Sequence, residues 1–453
     1  MDNKGISARL WLLSKAIEEK VNDYKSRGHL TKIKQQYIKP KVDNFDYKEG
    51  GISYQMSQGF IFKEEWDIKK LFDFIEKTVK QIPDYHRITV EISKRYKVNE
   101  VQADSWLQRF TQTLIWKAPE NLPDETLIDT ISTFVNDLEN GSLDWKLEVW
   151  LDGIWLEDEE YDIYEGLKIR RFKPSDLEVA IPIYMALYPM PGSSFRDTSS
   201  AILELVYRAR EAVECQNEIE KIVNCLRLYK LGSVFPVKTQ AAPKSILRAG
   251  GTSWPGQRFA LTYKYPISKD DIPQLGEFIS KIKGLLPTEP LSALPKVIDP
   301  VNIALQRYND ALLKPESTES RITSAITCFE ALYLKAEERM ELSHRLSQRA
   351  AALLGLFNLV PLEIYNNLNR AYDIRSTFIH GSSIELEKYK DIAELAEKTL
   401  DYARVSLLIF LQLKSLTDKD NLINKIDNSL LDTNARSKLE ELVKGNCSVF
   451  SEV

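Results

Sequence analysis

The sequence predicts an α+β protein, in which a mixed α/β region with antiparallel strands precedes an all-helical C-terminal bundle. Three observations predict this class. Short runs rich in Trp, Val, Ile and Tyr lie between residues 144 and 178, separated by Asp-Gly and Glu-Gly turn signals. After residue 300, apolar residues recur at three- and four-residue steps, as in amphipathic helices. The proline-punctuated segment LPTEPLSALPKVIDP lies between the two parts.

Composition restricts the class of protein. With 453 residues, 43% hydrophobic and 28% charged, the chain has the composition of a soluble globular protein and the length for two or three domains. A net charge of −5 argues against coating nucleic acid by bulk charge, although a local basic site remains possible. No stretch reaches the roughly 18 apolar residues of a membrane span. We expect a cytoplasmic protein that does not contact the membrane.

The cysteines and the N-terminus give no sign of secretion or metal binding. The four cysteines form no C-x-x-C pair, and no histidines accompany them at metal-ligand spacing. We predict reduced, buried thiols, no metal site and no cofactor. The opening MDNKGISARLWLLSKAIEEKV alternates short apolar stretches with charge, which favours an amphipathic helix over a signal peptide.

Residues 1–140 are predicted to be mostly helical, with a basic first segment over 1–41. That segment includes Lys32, Lys34 and Lys39, and it is interpreted as a helix with a solvated charged face, with a weak RNA-binding patch as the alternative. EEWDIKKLFDFIEKTVKQI has helical spacing, whereas RITVEISKRY alternates like a strand.

Residues 141–286 are predicted to form an α+β domain. The segment 144–178 is interpreted as an antiparallel meander, and AILELVYRA, SVFPVKT and FALTYKYPI as further strands. A helix ending in NCLRLYKLG would stop at Gly232. Residues 240–257 are predicted to be a long loop, and they lack the Gly-Lys-Ser/Thr of a phosphate-binding loop.

A Pro-rich linker at 287–300 is predicted to lead into a helical bundle at 301–420, followed by a tail at 421–453. Short loops between amphipathic helices are typical of an up-and-down bundle. The predicted helices are Val301–Leu313, Ser320–Glu338, Ser343–Leu356, Pro361–His380 and Tyr389–Leu416.

The stretch AYDIRSTFIHG holds the candidate site. Pro361 suits a first helical position and Gly381 a C-terminal cap, so the helix would deliver His380 to its last turn. Arg375 falls among apolar positions, where it would either pair with an acid such as Glu330 or curl round the helix end to share an anion with His380.

Around this pair, a narrow polar stripe is predicted along one side of the helix, opposite an apolar face of Ile364, Leu368, Ala371, Ile374 and Phe378. The stripe comprises Asn369, Asp373, Ser376 and His380. The spacing alone is weak evidence for a site, because Arg339 and His344 repeat it in RMELSH. For that second pair we expect a surface or inter-helix role.

In order and spacing, AITCFEALYL, ELSHRLSQRAAALLG and AYDIRSTFIHG, followed by a long closing helix, resemble the Apea-like branch of the HEPN superfamily over about 301–416. The segment from LKIRRFKPSDLE to CLRLYKLGSV more loosely resembles the N-terminal region attached to many such proteins. The resemblance implies a dimerising HEPN-like helical bundle, in which two Arg-x(4–6)-His motifs face each other as a metal-independent endoribonuclease site.

Carried onto this chain, the resemblance implies that Arg375 and His380 are catalytic and that Glu330 supports them. Many active members place Asn, Asp or His directly after the arginine, whereas this chain has Ser376. Asp373, on the same polar stripe, could supply the polar partner instead.

Two functions therefore stay open. In the first, a homodimer cleaves RNA in antiviral defence or a toxin-like stress response, with an antitoxin or sensor as a further partner. His380 would move the proton, and Arg375 would stabilise the phosphorane formed when the 2′-OH attacks. In the second, the bundle is a non-catalytic module that binds RNA or a partner protein, or that dimerises.

Overall fold

The computed structural model describes most of the chain. The residues outside the description are 1–2, 30, 49–50, 118–122, 140, 179–193, 198, 254–262, 288–298, 315–316, 382–390 and 448–453. The fold is α+β, as predicted.

Helices dominate both ends of the chain. In the N-terminal half they are α1 (Asn3–Ser26), α2 (Ile68–Lys77), α3 (Pro83–Tyr96), α4 (Glu100–Lys117), α5 (Asp124–Leu138), α6 (Ala212–Tyr229) and α7 (Asp271–Ile282). In the C-terminal part they are α8 (Pro300–Leu313), α9 (Thr318–Tyr333), α10 (Leu342–Leu354), α11 (Pro361–Ile379), α12 (Ile392–Leu413), α13 (Lys419–Ser429) and α14 (Thr433–Asn446).

The strands lie in the first 270 residues. They are β1 (Lys32–Lys48), β2 (Gly51–Trp66), β3 (Leu143–Asp152), β4 (Ile154–Leu156), β5 (Glu160–Tyr164), β6 (Leu167–Arg171), β7 (Ser194–Asp197), β8 (Ser199–Ala209), β9 (Phe235–Pro243), β10 (Gly251–Ser253) and β11 (Tyr265–Ile267).

A six-stranded antiparallel sheet, in the order β10-β9-β3-β8-β6-β5, forms the centre of the N-terminal half. The predicted meander over 144–178 is wrong in its connections. β3 pairs with β8 and β9, whereas β4 turns away after Gly153 (φ 84°) and pairs in parallel with β11. Only β5 and β6 form the expected hairpin, across Gly166 (φ 86°).

Two assignments near the N-terminus are also wrong. Residues 32–41 belong to strand β1, which pairs with β2 from Lys32 opposite Trp66 to Lys48 opposite Gly51. Pro40 lies inside this segment, and a proline there would interrupt a helix. RITVEISKRY is helical in α3, because its buried residues Ile88, Thr89 and Ile92 follow a helical period.

Between β8 and β11, two local features differ from the prediction. Helix α6 ends at Tyr229, before Gly232. A Cβ on Gly232 would lie 2.3 Å from Cδ2 of Tyr265, so glycine there permits close packing on that ring. The predicted loop over 240–257 contributes the end of β9 and all of β10, while residues 254–257 lie outside the description.

The predicted bundle helices are confirmed as α8 to α12. Their bounds agree within a few residues, the largest difference being that α9 ends at Tyr333 rather than Glu338. The segment predicted as a tail is helical up to Asn446, and it buries Leu422, Ile426 and Leu439 against the bundle. Most of the Pro-rich linker lies outside the described residues.

Two large apolar cores and a third, small one hold the described chain together. One core encloses α1 to α5 around Leu10, Phe74 and Phe110. The other runs without interruption from the sheet, at Leu147, into the bundle, at Leu407. The predicted domain ranges stay predictions. The second core, however, continues past residue 286, the predicted end of the α+β domain. Among the described helices, none combines the length with the apolar composition that a membrane span needs.

Candidate functional site

Arg375 points from α11 towards α9 and pairs with Glu330, which confirms one of the two predicted placements. Its Nη2 donates to Glu330 Oε2 at 3.2 Å, and the two side chains are 24% and 20% exposed. Its guanidinium carbon lies 5.4 Å from the centre of the Tyr372 ring. Its Nε is buried and has no hydrogen-bond partner among the described residues. The ion pair thus fixes the arginine and leaves guanidinium donors unused.

His380 is the C-cap residue of α11, directly after the last helical residue, Ile379, and one position before the predicted cap at Gly381. Its backbone N–H donates to the carbonyl of Ser376 at 3.1 Å, and Gly381 follows with φ 65°, a left-handed conformation that glycine adopts without strain. The imidazole belongs to an exposed residue. It can therefore meet a ligand from solvent.

The residues of the polar stripe on α11 lie in different environments. Asn369 Oδ1 accepts a hydrogen bond from Ser343 Oγ of α10 at 2.8 Å, whereas Asp373 is exposed and Ser376 half-buried. Asp373 and Ser376 therefore stay available near the arginine and histidine.

One residue on the predicted apolar face departs from the expectation. Ile364, Leu368, Ala371 and Ile374 are buried, but Phe378 is 43% exposed. The neighbouring Ile379 is 53% exposed. An exposed apolar pair therefore adjoins His380.

The second Arg-x(4)-His pair lines an open groove of about 630 Å³ between α10 and α11. His344 Nδ1 lies 2.9 Å from the Tyr365 hydroxyl, as expected for an inter-helix role. The groove lining includes Arg339, Ser343, His344, Asn369 and Tyr372.

Tyr372 joins this groove to Arg375, a connection that sequence reasoning missed. Burial, followed by the charge of Glu330, raises the pKa of Tyr372, so the phenol stays neutral. The equal Arg-to-His spacing in the two motifs was the one sequence feature that pointed to this connection. The connection itself depends on how α10 packs against α11.

Sequence reasoning also missed a buried ionic cluster around Arg349 of α10. Its guanidinium bonds Glu338 at 2.7 and 2.8 Å, Asp427 of α13 at 2.7 and 2.8 Å, and the Tyr333 carbonyl at 2.8 Å. The hydrogen bonds from Arg349 lower the pKa of Glu338 to about 2. This cluster fastens α13 to the bundle.

The lysines proposed for RNA binding lie on strand β1 and not on a helix. Lys32 Nζ is 5.4 Å from the Trp66 ring centre, and Lys34 Nζ is 4.9 Å from that of Phe62. Lys39 is exposed opposite Gly59. They form part of the N-terminal hairpin, apart from the bundle residues described above.

The four cysteines are buried free thiols, as predicted. Burial raises the pKa of Cys215 to about 11 and that of Cys447 to about 12, which keeps these sulfurs protonated and unreactive.

Comparison of the chain with protein-family models, with curated proteins and with solved structures gave no match.

Proposed function

We propose that this chain is a cytoplasmic, metal-independent endoribonuclease of HEPN type, acting as a homodimer in antiviral defence or a toxin-like stress response. One observation carries the proposal. Arg375 and His380 occupy the end of α11, where Glu330 holds the arginine with donors to spare and the imidazole is exposed. In cleavage by an RNA 2′-OH, an imidazole can transfer the proton and a guanidinium can stabilise the phosphorane.

The proposed reaction breaks one phosphodiester. His380 of one copy takes the proton of the 2′-OH, and the oxygen attacks the adjacent phosphorus. Arg375 donates to the oxygens of the resulting phosphorane. The 5′-oxygen leaves with a proton from His380 of the second copy, which yields a 2′,3′-cyclic phosphate and a 5′-hydroxyl.

The exposed apolar pair supports the dimer. Phe378 and Ile379 flank His380, and large apolar side chains exposed together are typical of interaction surfaces. Twofold packing over this patch would bring the two copies of α11 together at their C-terminal ends. Each half-site would then supply one arginine and one histidine.

The test is cleavage of end-labelled RNA in EDTA by wild type, His380→Ala and His344→Ala. The last variant is a matched control, because it removes an exposed histidine with the same arginine spacing. We expect His380→Ala to slow cleavage by about 10²–10⁴-fold, the usual contribution of one acid–base group, and His344→Ala to retain activity. RNA left equally intact by wild type and His380→Ala would overturn the proposal.

A second candidate function is a non-catalytic module that binds RNA or a partner protein. The Arg375–Glu330 pair favours it, since a half-buried ion pair between α9 and α11 can serve stability alone. Under this alternative, Arg375→Ala lowers stability, while purified wild type leaves RNA uncut but still sediments as a dimer.

A further inference from the structure

The hairpin of β1 and β2 has two parts with different environments. Towards its turn, Val42, Ile52 and Tyr54 are buried in a small core with Trp150 and Ile202 of the large sheet. The other part, towards the open end of the hairpin where the chain joins α1 and α2, is called the arm and comprises residues 32–39 paired with 59–66. Most of the arm's side chains are exposed on both faces of the ribbon.

One face of the arm is aromatic. Residues directly opposite each other in antiparallel strands share a face, and the register sets Lys32 opposite Trp66 and Gln36 opposite Phe62. Phe60 lies two residues from Phe62 and therefore on the same face. Phe60 and Phe62 are 61% and 57% exposed. Two large rings thus stand in solvent about 7 Å apart along one strand.

Lysines accompany these rings. Lys34 Nζ lies 4.9 Å from the ring centre of Phe62, and Lys32 Nζ 5.4 Å from that of Trp66. Within the arm, four lysines stand against two glutamates, whereas the whole chain carries a net charge of −5. The arm therefore carries a net positive charge on an acidic protein. On its aromatic face the charged residues are Lys32, Lys34 and Glu64, with Glu64 directly opposite Lys34.

We propose that the arm binds single-stranded nucleic acid, with bases stacked on Phe60 and Phe62 and phosphates paired with Lys32 and Lys34. Stacking on an aromatic side chain needs an unpaired base, which favours single strands over duplexes. Lysines beside the rings complement the phosphates that alternate with the bases. This inference does not depend on Arg375 or His380.

Fluorescence anisotropy with a short labelled single-stranded RNA, the same sequence as DNA, and its RNA duplex tests the proposal. We expect the single strands to bind more tightly than the duplex. Stacking contributes about 1–3 kcal/mol per base, so Phe62→Ala should raise Kd by roughly 5- to 150-fold. Lys34→Gln should lower the dependence of log Kd on log salt by about one.

Phe72→Ala is the matched control, since Phe72 is a 44% exposed phenylalanine on α2, outside the arm. It should bind like wild type. Binding of the single-stranded DNA, which has no 2′-OH to attack, separates failure here from failure of the nuclease proposal. Unchanged affinity in the Phe60→Ala, Phe62→Ala double variant, or tighter binding to the duplex, would overturn the proposal. The proposal would also fail if the double variant bound nucleic acid normally but no longer self-associated. The arm would then be a contact between two copies of the chain.

Discussion

Two arginines of the bundle, Arg349 on α10 and Arg375 on α11, stand in contrasting environments. Each lies on a largely apolar helix and pairs with a glutamate. Arg349 is 3% exposed and bonds two carboxylates and a carbonyl. Arg375 is 24% exposed, shows one hydrogen bond to Glu330, and has an Nε without a partner among the described residues.

The contrast distinguishes a structural arginine from one with capacity for a ligand. All three nitrogens of the Arg349 guanidinium donate within the protein, so a phosphate could bind there only by displacing a carboxylate. Arg375 is positioned by one acid and can donate to a second anion without losing the first. This difference in bonding supports the proposal that Arg375, and not Arg349, binds a phosphate.

The largest expected effect is on stability, in Arg349→Ala. The substitution leaves the carboxylate of Glu338, 9% exposed, without its main partner, and releases Asp427 of α13. We expect a loss of about 3–5 kcal/mol in the free energy of unfolding, measured by urea denaturation. Arg345→Ala is the control: Arg345 is 42% exposed and bonds Glu338 only at 3.3 Å, so its loss should stay below about 1 kcal/mol. Equal losses of unfolding free energy in the two variants would contradict the structural role assigned to Arg349.

Acidification should produce the next largest effect. The folded pKa of Glu338, about 2, lies below its ordinary value of 4.5, so the pair's contribution is complete above pH 4.5 and is lost as pH falls towards 2. Stability of the wild type should therefore fall more steeply over this window than that of Arg349→Ala. Parallel pH profiles of the two proteins would show that Arg349 does not set this titration.

The smallest expected effect is on stability in Arg375→Ala, about 1–2 kcal/mol, because one hydrogen bond between partly exposed charges is lost. Urea denaturation and RNA cleavage should be measured on the same sample. If Arg375 stabilises the phosphorane, cleavage should fall by far more than this change in stability explains. A loss as large as that of Arg349→Ala would instead favour the non-catalytic alternative.

Helical period predicted the bundle well, because most of its helices bury one face. The exception is α12, in which every residue from Tyr402 to Leu411 is buried. The ion pair of Arg375 with Glu330 was one of two placements that the sequence left open, and only the packing of α9 against α11 selects it. The position of Phe378 did not follow, because α11 reaches its end there and its last turn leaves the core.

Predictions were poorest where long-range pairing decides the structure. β3 could have continued into a meander with β4, but its partners β8 and β9 lie some 50 or more residues further along the chain. Around Lys32 and Lys34, the short sequence pattern fits either a helix or a strand. Pairing with β2 makes this segment a strand. The groove between Arg339 and Tyr372 likewise depends on how α10 packs against α11.

The uninterrupted core between sheet and bundle restricts how this protein can be divided. The Tyr308 hydroxyl donates to the Arg227 carbonyl, and Arg404 Nη1 donates to the carbonyls of Leu228 and Tyr229. A fragment cut at residue 300 would expose these polar groups of α8 and α12, together with the apolar surface around them. Anyone grafting the bundle onto another scaffold must therefore transplant α6 with it.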